Sequence, residues 1–331
     1  MKDFTKEYDY EHLIAEEKNH YSKIEITKDL KEGGVHSSSA WHYYWTRVGQ
    51  VLNSSQFANM PAYLSRTLAH LQRPIYILSL GSGYCGHELG YARSLTHSYR
   101  IRCTDINTDI FEKAKEAARN ENLTIEFEQA DLNFIRIEPG RYDLIFAHAS
   151  MHHVVNLEHL FAQIAGGLTD GGVFQMVEVV GEDRNLLWPE SERLLNALLD
   201  ALPDSLTDGF RSRLHQKPSL RELLKQRAKA LFRSHHDGRG MEGIRQSQII
   251  PLLRQHFVSL FEHRHGAFMR FICTDPTLST RFNPQNPEAR RYLDFLMDID
   301  QATVRHGVLQ PLEIWGVYSP NRPMQPSSGV A

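Results

Sequence analysis

Cysteine is scarce in this chain: three residues, Cys85, Cys103 and Cys273, among 331. Their number is odd and no two stand at CxxC spacing, which argues against a disulfide framework and makes a reducing compartment the default. No stretch approaches the ~18 apolar residues that a membrane helix needs. The opening MKDFTKEYDY is charged and has no apolar signal core. A soluble, cytoplasmic protein with no membrane partner is therefore expected. Charge of one sign is also lacking. The formal net charge is -3, so nothing draws the whole molecule onto nucleic acid or anionic lipid. No internal repeat is present, and the oligomeric state leaves no mark in the sequence.

What is present is ordinary globular composition, 41% apolar and 23% charged, in a chain long enough for a core domain plus a cap. Residues 1–72 read as a polar, helical N-terminal cap. It carries an aromatic cluster, Trp41, Tyr43, Tyr44 and Trp45, after a Gly33-Gly34 and Ser37-Ser38-Ser39 break. Pro61 predicts the start of a helix over 62–71. From 73 to 182 the texture alternates. Strands are predicted at 75–80, 101–104, 125–129, 142–147 and 173–180. Helical patterns lie between them, including Leu89, Ala92 and Leu95 on one face and Leu157, Leu160, Phe161, Ile164 and Leu168 on another. Gly171-Gly172 is read as closing the last of these helices. Residues 183–256 look helical and more basic, a substrate or lid region with a loop around 235–243. Residues 257–320 offer two further strands, 257–262 and 312–318, around a helical insert. The Pro- and Ser-rich 321–331 reads as a disordered tail. The fold class expected is α/β: a doubly wound, mostly parallel, seven-stranded Rossmann-like sheet with an N-terminal helical cap and helical insertions after strand five.

In such sheets ligands bind beyond the carboxyl ends of the strands. The first strand ends in Gly81-Ser82-Gly83-Tyr84-Cys85-Gly86, a turn that lets backbone approach a ligand and aims helix N–H groups at it. A plain strand-to-helix turn, or a dinucleotide site, would use the same spacing. Asp105 ends the second strand, where a carboxylate can accept both hydroxyls of an adenosine ribose; as a helix N-terminal acid it would also be unremarked. Asp131 follows the third strand and can accept from an adenine amino group, which favours a sulfonium nucleoside over a nicotinamide one. The fourth strand runs into His148-Ala149-Ser150-Met151-His152-His153. Imidazoles at that rim can act as bases, or merely bond backbone and pack.

Together these motifs resemble the S-adenosylmethionine (SAM)-binding core of class I SAM-dependent methyltransferases. LSLGSGYCG is similar to the family's glycine motif, CTDIN to its acidic second strand and QADL to its adenine site. YDLIFAHASMHHV resembles the fourth-strand motif of small-molecule methyltransferases, and LTDGGVFQMVE the approach to the fifth strand. Five motifs in order cover about a third of the chain. EVVGEDRNLLWPE and GIRQSQIIPLLRQHF also look like a subgroup associated with glycan and secondary-metabolite methylation. One position departs: the family usually carries Asp or Glu where Ser79 stands. An acid from the cap, Glu11, Glu16 or Glu17, is the candidate replacement.

The resemblance implies SAM as cofactor, bound by Ser79, Gly81, Ser82, Gly83, Asp105, Ile106, Asp131, Leu132 and His148. It implies methyl transfer to a small molecule, a hydroxyl first (a sugar or secondary metabolite), with nitrogen and carbon acceptors open. His152 or His153 is the candidate base and Glu178, ending the fifth strand, the runner-up. Glu182, Arg184 and Trp188 are candidate acceptor-pocket residues, and the aromatic cluster is either a lid over the cofactor or a cap packed on the sheet. No Asn-Pro-Pro-Tyr or Asp-Pro-Pro-Tyr follows the fourth strand, which argues against a nucleic-acid amino acceptor. His263-x-His265 can place two imidazoles on one strand face, but spacing offers no third ligand, so no metal is expected. A nicotinamide-dependent oxidoreductase shares the glycines and Asp105. A non-catalytic SAM-binding partner subunit is the alternative that Ser79 favours.

Overall fold

The computed structural model describes residues 3–23, 38–207 and 240–321, with the backbone alone for 19–23. The Gly33-Gly34 break, residues 208–239 of the basic helical region, and the tail beyond 321 lie outside the described residues. The elements run α1 (Tyr10–Lys23), α2 (Ser39–Leu52), α3 (Met60–Thr67), β1 (Ile75–Leu80), α4 (Gly86–Ser94), β2 (Tyr99–Asp105), α5 (Glu112–Asn120), β3 (Ile125–Gln129), β4 (Tyr142–His148), α6 (Leu157–Gly167) and β5 (Leu168–Val179). Then come α7 (Pro189–Ala201), α8 (Ile249–His256), β6 (Phe257–His265), α9 (Met269–Thr274), α10 (Pro287–Arg305) and β7 (Glu313–Pro320).

The seven strands form one sheet in the order β3-β2-β1-β4-β5-β7-β6. Strands β1 to β5 pair in parallel, and β7 runs antiparallel to both of its neighbours. The chain order reverses between β1 and β4, so their carboxyl ends open the crevice where such sheets take ligands. Central strands are covered on both faces, which is why β4 reads as an unbroken apolar run after Asp143 and is buried almost throughout. Edge strand β3 alternates instead, and its Glu126 and Glu128 pair with Arg100 and Arg102 on β2.

Three larger apolar cores follow, beside a small one that packs α1 on Val155, Met241 and Ile244. One joins the sheet to α6 and α8. Another fills the opposite face beneath α3, α4 and α5. The third belongs to a helical layer in which α2 packs with α7, α9 and α10. Ser38 caps α2 by accepting from the Trp41 amide at 3.0 Å, and Pro61 sits in the first turn of α3 behind the Asn59 cap.

One local reading is corrected. Gly171-Gly172 does not close α6; it lies inside β5, which starts at Leu168. There the β4 pairing slips between Tyr142 and Leu144, and a Cβ at Gly172 would meet the Tyr142 carbonyl oxygen at 2.8 Å. On α4, Leu89, Ala92 and Leu95 pack on one core as expected, and Glu88 is buried beside Ala92, with its carboxylate against the end of β1.

Candidate active site

At the β1 end, Gly81 adopts φ +66°, and a Cβ there would stand 2.5 Å from Ser150 Cβ. Only glycine fits both that backbone and that gap. The turn wraps a cavity of about 410 Å³ that takes in Gly81, Ser82, Gly83, Asp105, Ile106, Asp131, Leu132 and His148. Of the nine residues expected to bind the cofactor, these eight border it. Ser79 does not; it is buried behind the turn.

Ser79 Oγ donates to Glu88 Oε1 at 2.5 Å, and Ser82 Oγ donates to Ser79 Oγ at 2.9 Å. A carboxylate from α4 thus sits behind the strand end, and it does not border the cavity. Burial pushes the Glu88 carboxyl up to about 7. Of the three cap acids, Glu17 borders the cavity, while Glu11 and Glu16 do not. Glu17 Oε2 accepts from the Met241 amide at 3.0 Å.

Asp105 Oδ2 accepts from the Gly83 amide at 3.0 Å and Oδ1 from the Asn107 amide at 2.9 Å. Each carboxylate oxygen still has acceptor capacity toward the cavity. Asp131 is more fully engaged: Tyr10 Oη from α1 reaches its two oxygens at 2.9 and 2.8 Å, and the Asn133 amide donates to Oδ1 at 2.9 Å. An adenine amino group at Asp131 would share the carboxylate with Tyr10. The glycine turn, a carboxylate at the β2 end and a cavity of nucleoside dimensions fit SAM.

A second cavity, of about 890 Å³, lies beyond β4. It shares His87, His148, Ala149 and His153 with the first, and adds His152, Glu178, Glu242, Arg270 and Trp315. Trp41 and Trp45 border this second cavity and not the first, while Tyr44 is buried, bonded to His265 Nδ1 at 2.6 Å and to Glu313 Oε2 at 2.8 Å. The aromatic cluster is thus no lid over the cofactor cavity.

The loop after β4 turns at Ala149, φ +51°, and continues into a 3₁₀ turn, Met151–His153. Glu178 holds that loop in place. Its Oε2 accepts from the Ser150 and Met151 amides at 3.0 and 2.6 Å, and its Oε1 lies 2.5 Å from His152 Nδ1. Burial disfavours a charged His152 ring, yet Glu178 and Glu242 outweigh it and raise the ring to about 10. Glu178 moves the other way: burial opposes its charge, but His152 and backbone amides hold it below the usual carboxylate range. Glu242 behaves likewise, lowered by His152 and His153 against its own burial. His148, by contrast, is pushed down to about 4 by burial and by neighbouring His87. His153 Nδ1 stands 2.7 Å from Glu17 Oε1, an ion-pair contact out of line with an N–H bond.

The expected acceptor residues divide. Glu182 lines a third cavity, of about 760 Å³, which shares Glu242 and Arg270 with the second. Arg184 lines none of these cavities; its guanidinium is taken up by the Gly240 and Glu242 carbonyls. Trp188 donates Nε1–H to the Pro311 carbonyl at 3.2 Å and also lines none of them. His263 and His265 stack on β6, but His265 is committed to Tyr44.

Sequence reading missed Glu242, Tyr10 and Glu88. Glu88 had a signal, an acid in register with Ala92 and Leu95 on a helix face. Glu242 and Tyr10 had none, because each meets its partners from a segment far along the chain.

Parts of the chain are similar to known proteins. Residues 77–172 match the model of a family described as a methyltransferase domain. The chain is 32% identical over 117 residues to the polyketide synthase component of compactin nonaketide synthase from Penicillium citrinum, which covers 32% of this chain and 4% of that protein. It is 26% identical over 127 residues to squalestatin tetraketide synthase from Phoma sp. (strain C2932), covering 36% of this chain and 5% of that one. The chain therefore spans only about a twentieth of the length of these curated relatives. Among solved structures, an S-adenosylmethionine-dependent methyltransferase from Mesorhizobium loti is similar at 17% identity, over 81% of this chain and 99% of that one, with a TM-score of 0.38.

Proposed function

We propose that this chain, whose residues 77–172 match a family model described as a methyltransferase domain, transfers a methyl group from SAM to a small molecule seated in the second cavity. The observation that carries the reading is the junction of the two cavities at His148, Ala149 and His153. A donor beside Gly81 and Asp105 would meet an acceptor there. SAM supplies an already activated methyl group. The chain's share is alignment and handling of the acceptor's proton. His152, His153 and Glu178, the candidates for that task, stand together on the acceptor side. Each imidazole has carboxylates toward both nitrogens, so the cluster rather than one free ring would act on the acceptor.

A hydroxyl oxygen is the first choice of nucleophile. A carbon acid next to a carbonyl is the second reading, favoured by the likeness to two polyketide synthases. Incubation with methyl-labelled SAM and matched hydroxyl and 1,3-dicarbonyl acceptors tests both. Label in a base-stable C–CH3 product selects carbon, and label in a methyl ether selects oxygen. The His152→Gln, His153→Gln double variant should retain SAM binding and lose turnover. Unchanged turnover at saturating SAM would remove the cluster from the chemistry.

A further inference from the structure

The wall between the two cavities holds a donor set that proton transfer alone does not require. His152 Nε2 is 3.4 Å from Glu242 Oε1, and His153 Nε2 is 3.3 Å from Glu242 Oε2. Donor atoms from His152, His153 and Glu242 all lie within 4.8 Å of one another. Two ligands at ~2.0–2.1 Å from one tetrahedral cation stand about 3.4 Å apart. Glu242 is thus spaced from each ring as a fellow ligand would be.

The far side of the His152 ring supports the same assignment. His152 Nδ1 is hydrogen-bonded to Glu178 at 2.5 Å, which fixes the tautomer that leaves Nε2 as the ligating nitrogen, while Glu17 sets a carboxylate 2.7 Å from His153 Nδ1 without an aligned N–H bond. The two ring centroids are 4.2 Å apart, and both Nε2 atoms face the Glu242 carboxylate. Glu178 is in turn pinned by the Ser150 and Met151 amides, and Glu17 by the Met241 amide. The outer carboxylates are themselves held, as a cation site demands.

We propose that His152, His153 and Glu242 hold a divalent transition-metal cation between the cofactor and acceptor cavities, with positions left open to an acceptor oxygen. Two imidazoles and one carboxylate suit zinc, iron or cobalt, and are a poor match for magnesium or calcium, which take oxygen ligands. The open positions face the second cavity, so this role for the cation rests on the reading that the acceptor lies there. Spacing in the sequence could not reveal the site, because the third ligand arrives from residue 242.

Cobalt(II) is the probe. The full chain, stripped with a chelator and dialysed, is titrated with cobalt(II) chloride while visible absorption is followed, alongside Glu242→Gln and His263→Ala. The expected result is one equivalent bound by the parent and by His263→Ala, with affinity lowered at least ~10-fold in Glu242→Gln. Where Glu242→Gln fails to fold by circular dichroism, His153→Asn gives the same comparison. No cobalt absorption in the parent, equal affinity in the folded Glu242→Gln variant, or absorption lost only in His263→Ala would each overturn the site. SAM calorimetry on the same samples separates the two readings. Absent cobalt binding with intact SAM binding removes the cation and leaves methyl transfer standing. Intact cobalt binding without SAM binding removes the methyl-transfer reading and leaves the cation site.

Discussion

His152 Nδ1 and Glu178 Oε1 stand 2.5 Å apart, a buried contact that joins the loop after β4 to the end of β5. The same carboxylate receives the Ser150, Met151 and Val179 amides. One side chain therefore sets the path of the loop and the orientation of a ring at the cavity junction. Glu178→Gln puts an amide N–H where donors converge. It should destabilise the protein by about 3–5 kcal/mol, the range for breaking a buried charge pair. Urea midpoints of the two proteins check this; a shift worth less than 1 kcal/mol would mean the carboxylate does not hold the loop.

Asp105 should matter for the ligand. A hydrogen bond to a charged acceptor contributes ~1.5–3 kcal/mol. Losing the bonds to ribose hydroxyls in Asp105→Ala should therefore weaken SAM by at least ~10-fold. Calorimetry with SAM and its demethylated product reads this directly. Equal dissociation constants would place the ribose elsewhere.

Glu88 gives the chain a pH dependence with a definite sign. Its folded value of about 7 lies above the ordinary 4.5. The uncharged carboxyl is favoured by folding, so its contribution is full below pH ~4.5 and is lost as pH rises through ~7. The shift corresponds to roughly 3 kcal/mol. Glu88→Gln keeps an acceptor for Ser79 and does not titrate. It should match the parent near pH 4.5 and be the more stable of the two at pH 8, by denaturant midpoint. A stability gap that stays constant from pH 4.5 to 8 would refute the raised carboxyl.

The two turn glycines should differ. Gly83, φ +51°, has open space where a Cβ would go, so Gly83→Ala should cost only the ~1–2 kcal/mol of a left-handed residue. Gly81→Ala adds the collision with Ser150 and should cost more, and Ser150→Gly in the same chain should recover part of the loss. Equal thermal midpoints for the two single variants would contradict the close approach.

The sequence by itself determined the strands, the glycine turn and the acid that ends β2, because each is a local matter. Alternation, apolar runs and the φ demands of a tight turn are written in neighbouring residues. It misplaced the start of β5, since a glycine pair looks the same whether it ends a helix or eases a strand past Tyr142. Tertiary structure alone decided which acids meet which rings. Hydrophobic periodicity tells which face of an element is buried and not what it is buried against. Glu17 reaches His153 from α1, Glu242 reaches both rings from beyond residue 239, and Tyr10 covers Asp131. These meetings are set by the order of strands in the sheet and by how the helices pack on it. The same packing gathers α2, α7, α9 and α10, scattered along the chain, into the layer beside the second cavity, because their apolar faces leave water together only there.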